Sequence, residues 1–109
     1  MEIDLHGYHP SEIDVAYIIR QCWEMGETEV ILIHGHGHNR GISPGFVNTN
    51  TGMFGLSIRG AIRHGDVRAW AKISTLDCSQ MGSTKLKLKH NPNPSRVKID
   101  LPDRGKYAE

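Results

Sequence analysis

A chain of 109 residues with 38% apolar content has room for one domain around one hydrophobic core, which excludes a second catalytic domain. No apolar run approaches the roughly 20 residues of a membrane span, and Met1 leads into a strand-like Ile3-Asp4-Leu5 rather than a basic and apolar leader, so a cytoplasmic protein with no membrane partner is expected. The formal net charge of +1 is unevenly spread: Glu2, Asp4, Glu12, Asp14, Glu24, Glu27 and Glu29 are set against Arg20 alone in residues 1–30, while the remainder carries twelve Lys or Arg against five acids, an imbalance that suits a polyanion partner.

Residues 2–5 read as a short strand with Ile3 and Leu5 on one face and Glu2, Asp4 and His6 on the other. From Pro10 to Met25, Val15, Ile18, Ile19 and Cys22 recur at helical spacing; Pro10 suits the first turn, His9 or Ser11 the cap and Gly26 the stop. Val30-Ile31-Leu32-Ile33 reads as a buried strand, parallel to the first across the helical crossover. Residues 34–51, rich in Gly, Asn and His, have no hydrophobic period and read as a long loop of the kind that carries function. Asn50 or Thr51 is placed to cap a second helix in which Phe54, Ile58, Ala61 and Ile62 point inward, leaving Arg59 and Arg63 stacked one turn apart, and Gly65 ends it. Residues 68–75 and 83–89 read as two more strands, the latter alternating Leu86 and Leu88 with Lys85, Lys87 and Lys89. Asn91-Pro92-Asn93-Pro94 breaks structure, so residues 1–90 are expected to form the domain and 91–109 an extended C-terminal tail. The order β-α-β-α-β-β predicts an α/β chain built as an α+β two-layer sandwich, with a mixed four-stranded sheet and both helices on one face.

Asp4 and His6 leave the same strand face roughly 6 to 7 Å apart. A carboxylate there orients an imidazole for proton transfer; it serves as well to cap the following turn, with His6 simply packed. Gly7 lets the chain turn at once with its backbone donors exposed. His34-Gly35-His36-Gly37-His38 follows the second strand, and in a parallel βαβ unit both strand ends open onto one edge, so the two His-Gly turns are expected to meet. Alternating glycines admit a phosphate to the backbone, while imidazoles donate hydrogen bonds or move protons. Convergence of His6, His34, His36 and His38 on zinc is a weaker alternative, because the spacing lacks the helical histidine pair or the cysteine pairs of zinc sites. Arg40 in the loop, Asn48 before the second helix, and Arg59 and Arg63 on it are placed to hold neighbouring phosphates. Lys85, Lys87 and Lys89 form a comb along an open sheet face, unless they belong to an ordinary charged edge strand. Trp23 and Trp70 read as core residues, and Cys22 and Cys78, which make neither a disulfide framework nor a metal spacing, as reduced thiols.

Taken together, Ile3-Asp4-Leu5-His6-Gly7, a helix, Ile31-Leu32-Ile33-His34-Gly35-His36-Gly37, a second helix and the final strand, over residues 2 to about 89, resemble the Smr (small MutS-related) domain family in a stand-alone form. The family pattern pairs an LDxHG segment with an [HT]GxG segment on a β-α-β-α-β-β fold similar to the C-terminal domain of a bacterial initiation factor. The resemblance implies nucleic-acid binding and, for many members, endonuclease activity: nicking of DNA beside MutS-like proteins, or cleavage of messenger RNA on stalled ribosomes. Repair machinery or the ribosome are therefore the implied partners. Residue by residue it places Asp4, His6 and Gly7 in the first motif, and His34, Gly35 and Gly37 in the second. The chain departs from the family in an extended loop containing Arg40, Pro44, Phe46 and Asn48. It also holds no attached ATPase or ubiquitin-binding region, so recruitment is expected to come through another protein or the tail.

The expected function is that of an endonuclease acting on RNA or DNA. For RNA, Asp4, His6 and His34 form the catalytic set: His6 or His34 takes the 2′-hydroxyl proton, Asp4 orients His6, and loop amides with Arg40 or Arg59 stabilise the charged phosphorane, a route that needs no metal and leaves a cyclic phosphate. For DNA a water must be activated instead, and a divalent metal becomes the natural cofactor; no other cofactor is expected. Gly7, Gly35, His36, Gly37, His38, Arg40, Asn48, Arg59, Arg63, Lys85 and Lys87 make up the phosphate-binding set. Two alternatives stay open, a non-catalytic nucleic-acid or ribosome binding module and a metal-dependent phosphoesterase.

Overall fold

Alternation of apolar and polar residues builds the sheet. In β1 (Glu2–Asp4) Ile3 is buried between exposed Glu2 and Asp4, in β2 (Glu29–Ile33) Val30 and Leu32 are buried, and in β4 (Ser83–Leu88) Thr84, Leu86 and Leu88 alternate with exposed Lys85 and Lys87. The computed structural model describes residues 1–6, 8, 13–35 and 53–101 and arranges these strands with β3 (Ala71–Asp77) in the order β1-β2-β4-β3. β1 runs parallel to β2, with Ile3 opposite Leu32, while β4 is antiparallel to both β2 and β3. Both helices, α1 (Val15–Glu24) and α2 (Met53–His64), cover the face that carries the buried strand residues. Val15, Ile18, Ile19 and Cys22 of α1 and Ile58 and Ile62 of α2 share one apolar cluster with Ile3, Val30, Leu32, Leu86 and Leu88. Leu5, Ile19, Val30 and Ile62 have no accessible surface, and burial of each such side chain stabilises the fold by about 1.5–3 kcal/mol. The architecture is the α+β fold with a mixed four-stranded sheet that the element order predicts.

Several boundaries differ from the expected ones, each for a local reason. α1 begins at Val15 because Asp14, not His9 or Ser11, caps it, its carboxylate accepting the Tyr17 N–H at 3.1 Å. His9, Pro10 and Ser11 lie outside the described residues, as do Asn50 and Thr51 before α2. Gly26 ends α1 as anticipated: at φ +84° it takes the left-handed conformation, and the Glu27 N–H closes back on Cys22 O at 3.1 Å. In α2 Ala61 is exposed rather than inward, while Arg59 is buried. β3 starts at Ala71 rather than residue 68, because Trp70 N–H and Ala71 N–H both turn back on Val67 O. Its ladder with β4 slips between Lys72 and Asp77, and there the Thr75 hydroxyl accepts from Lys87 N–H and donates to Lys72 O.

β4 lies inside the sheet, so Lys85 and Lys87 do not belong to a charged edge strand. In register, Lys87 lies between Glu29 and Lys72, and Lys85 between Ile31 and Asp77, all on the face opposite the helices.

After β4 the chain, without regular structure over 91–101, runs across the C-terminal end of α1. Asn91 donates to Trp23 O at 2.8 Å, Arg96 bridges Glu24 and Asp100, and Ile99 and Leu101 pack on the core. The fully buried Gln21 side chain accepts the Asp100 N–H at 2.6 Å and donates to Asp100 O at 3.5 Å. Deleting residues 91–109 strands the Gln21 amide and uncovers that end of the core. The expected loss is about 1–3 kcal/mol, read as a lower urea midpoint; an unchanged midpoint would mean that the segment is not part of the folded unit.

Candidate active site

The parallel pairing of β1 and β2 continues one residue past β1, where Leu5 N–H donates to Ile33 O at 2.7 Å. That bond carries both strand ends out together and sets His6 beside Gly35. The Asp4 carboxylate accepts the His6 backbone N–H at 2.9 Å, and Tyr8 N–H returns to Leu5 O at 3.1 Å. The backbone at His6 is therefore held by Asp4, and the chain beyond is anchored by buried Tyr8. His6 itself is exposed.

Gly35 stands at φ +82°, and a Cβ placed on it would lie 2.9 Å from His6 Cδ2. The imidazole of His6 thus rests directly on the Gly35 backbone, and two independent requirements, the left-handed conformation and the close approach, both demand glycine. The two His-Gly turns meet through this contact. The Gly35 N–H does not point into solvent as a phosphate donor; it and the His34 N–H both donate to Gly82 O at 3.0 Å, in the turn between β3 and β4.

His34 turns inward and is 4% exposed. Its Nδ1 lies 3.0 Å from Gly35 O and its Nε2 2.9 Å from Thr84 Oγ1, so both ring nitrogens are engaged within the fold. Arg59, expected on a solvent-facing helix side, is also buried. Its Nε–H donates to the same Thr84 Oγ1 at 2.9 Å, and Nη2 donates to Gln80 O at 2.8 Å and Ser83 O at 3.1 Å. These bonds tie α2 to the turn that cradles the second motif. In that turn Asp77 accepts the Ser79 N–H, and hydrogen bonding from Ser79, with a smaller contribution from Lys85, holds its carboxyl below the usual range.

Arg63 is exposed at the end of α2, with Nη2 3.8 Å from Cys78 Sγ. Lys85 and Lys87 project from the uncovered sheet face. Gly7, His36, Gly37, His38, Arg40 and Asn48 lie outside the described residues. Among the described residues no three His, Cys, Asp or Glu side chains are grouped to hold a metal ion. Burial pushes the Cys22 thiol up to about 12, with Glu27 adding to the shift, which leaves it protonated and inert at neutral pH. Trp70 is partly buried against the core under the Arg20 guanidinium, 5.7 Å from its ring centroid. Sequence reasoning passed over Thr84, whose signal was a hydroxyl in phase with inward Leu86 and Leu88.

The sequence profile of the Smr domain matches residues 3–75, two motifs, both helices and most of β3 included. The chain belongs to the Smr domain family. Smr domains generally bind nucleic acid, and some members are nucleases. No curated protein and no solved structure matches the chain significantly. In this Smr domain the matched span ends before β4, the strand that supplies Thr84, Lys85 and Lys87 and completes the sheet. No helix among the described residues is long and apolar enough to cross a membrane.

Proposed function

We propose that this Smr domain is an endonuclease that cleaves RNA by transesterification, with His6 as the group that moves the proton. The observation that carries this reading is the exposed His6 imidazole seated on Gly35 at the shared end of β1 and β2, its backbone fixed by Asp4. As the 2′ oxygen attacks phosphorus, its proton passes to the imidazole; the P–O5′ bond breaks and the 5′ oxygen leaves with a proton returned by the imidazolium or by water. The products are a 2′,3′-cyclic phosphate and a 5′-hydroxyl. Asp4 acts through the His6 backbone. His34 and Arg59, with their polar atoms engaged inside the fold, support the second motif rather than transferring the proton or clamping phosphate. Of the cations expected to bind phosphate, Arg63, Lys85 and Lys87 are exposed among the described residues and are left to meet the backbone, with the loop residues Arg40, His36 and His38 as further contacts.

Lys85 and Lys87 sit side by side on one open face, and each phosphate they neutralise releases counterions. Replacing each with Gln is expected to weaken RNA binding and to reduce the slope of log K against log salt by about one per residue. A slope unchanged in the double variant would remove the comb from the interface.

The inward His34 and Arg59 favour a second reading, a binding module without catalysis. Labelled single-stranded RNA and supercoiled plasmid, each with and without chelator, separate the readings. RNA cleavage that survives chelator supports transesterification, and plasmid nicking abolished by chelator supports metal-assisted DNA hydrolysis. Salt-sensitive binding with no product supports the module.

A further inference from the structure

Four groups form one hydrogen-bonded line behind the second motif: Arg59 Nε, Thr84 Oγ1, the His34 ring and Gly35 O. Gly35 O only accepts, so the proton of the His34 ring belongs on Nδ1, 3.0 Å away. Nε2 of the neutral ring is then an acceptor, and the Thr84 hydroxyl, 2.9 Å away, must donate to it. Arg59 Nε–H, donating into the same hydroxyl at 2.9 Å, fills one of its lone pairs and leaves its hydrogen aimed at His34. The line therefore has one consistent direction of donation, from Arg59 to Gly35 O.

We propose that Thr84 is a positioning residue for the His6 site, acting through the seating of the His34 ring. The hydroxyl donates to Nε2 and holds the ring, the Nδ1–H is thereby aimed at Gly35 O, and that bond holds the left-handed Gly35 turn on which the His6 ring rests. Gly82 O, which receives the N–H groups of His34 and Gly35, and Arg59, which grips Gln80 O and Ser83 O, fix the same turn from behind. The site is thus completed by β4, a strand outside the span that matches the Smr profile. The catalytic consequence rests on His6 as the proton-transfer group, whereas the geometric one does not.

Thr84→Val keeps the shape and removes the hydroxyl, and Thr84→Ser restores it. Long-range ¹⁵N imidazole spectra of the whole chain report the His34 tautomer, and the nuclear Overhauser effect between His6 Hδ2 and the Gly35 α protons reports the seating of His6. The expected result is a His34 held as Nδ1–H in the parent and in Thr84→Ser, with the His6–Gly35 contact present in both. In Thr84→Val the ring loses the donor that holds its Nε2, the His6–Gly35 contact weakens, and kcat on RNA falls by up to about 100-fold with KM little changed. Should Thr84→Val give no dispersed folded spectrum, Thr84→Cys, which keeps the size of Ser with a poor hydrogen-bonding group, takes its place. A parent His34 that is not Nδ1–H, or a His6–Gly35 contact unchanged in Thr84→Val, overturns the proposal. If the parent cuts no RNA, the spectra still decide the positioning role, and it is the nuclease reading that has failed.

Discussion

His6→Ala is expected to lower RNA cleavage by about 10²–10⁴-fold, the range that a positioned acid-base group contributes. Binding to the same RNA should change little, because the side chain is a single exposed ring while the cations proposed to meet phosphate, Arg63, Lys85 and Lys87, lie elsewhere. The fold should also hold: His6 lies outside the apolar cluster, and Asp4 contacts it through the backbone N–H, which alanine keeps. Single-turnover cleavage, a binding titration and a urea melt on one preparation separate these effects. Loss of cleavage together with loss of affinity would turn His6 into a binding residue and leave the proton transfer without a group.

Gly35→Ala carries the second large effect. The added methyl must tolerate φ +82° and sit 2.9 Å from His6 Cδ2. The left-handed conformation alone costs about 1–2 kcal/mol for a residue with a Cβ, and the ring of His6 must move off its seat. A shift of that size is expected to lower cleavage by about 100-fold, with a fall in stability measurable as a lower urea midpoint. The combination distinguishes this variant from His6→Ala, which removes the chemistry and leaves the backbone relaxed. A Gly35→Ala protein that cuts RNA at the parent rate would mean that the contact between the two turns has no part in the reaction.

Much of the framework was legible because it rests on short periods. Ile3, Val30 and Leu32, then Leu86 and Leu88, alternate with charged residues and mark the inward sheet face; Val15, Ile18, Ile19 and Cys22 mark the stripe of α1. The crossover length between β1 and β2 implied a parallel pair, and from it the meeting of Leu5-His6 with His34-Gly35 at one edge. Asp14 was hidden as a cap because Pro10 and Ser11 offered an earlier start signal in the same stretch, and only the Tyr17 N–H bond distinguishes them.

The inside of the site was less legible, because a residue type does not state which way its polar end points. Arg59 and Arg63, one turn apart, looked like a pair of surface cations. The β3–β4 turn, however, presents Gln80 O and Ser83 O to α2, and with Thr84 Oγ1 they draw the Arg59 guanidinium inward while Arg63 stays out. His34 carries the second motif in sequence, yet its ring is consumed by Thr84 and Gly35 O. Both outcomes depend on a partner some 20 or more positions away along the chain, which no local pattern encodes. The same long-range pairing explains the segment after β4: Asn91-Pro92-Asn93-Pro94 does break regular structure, but Gln21 and Glu24 on α1 supply the partners that hold residues 91–101 in place.

Cleavage by transesterification requires His6 to move a proton to or from a ribose oxygen. The direct measurement is identification of the product ends when the parent and His6→Ala act on one labelled RNA in excess chelator. Proton transfer by His6 predicts 2′,3′-cyclic phosphate and 5′-hydroxyl ends from the parent and none from the variant. Ends bearing a 3′-hydroxyl and a 5′-phosphate, or equal cleavage by His6→Ala, would contradict it.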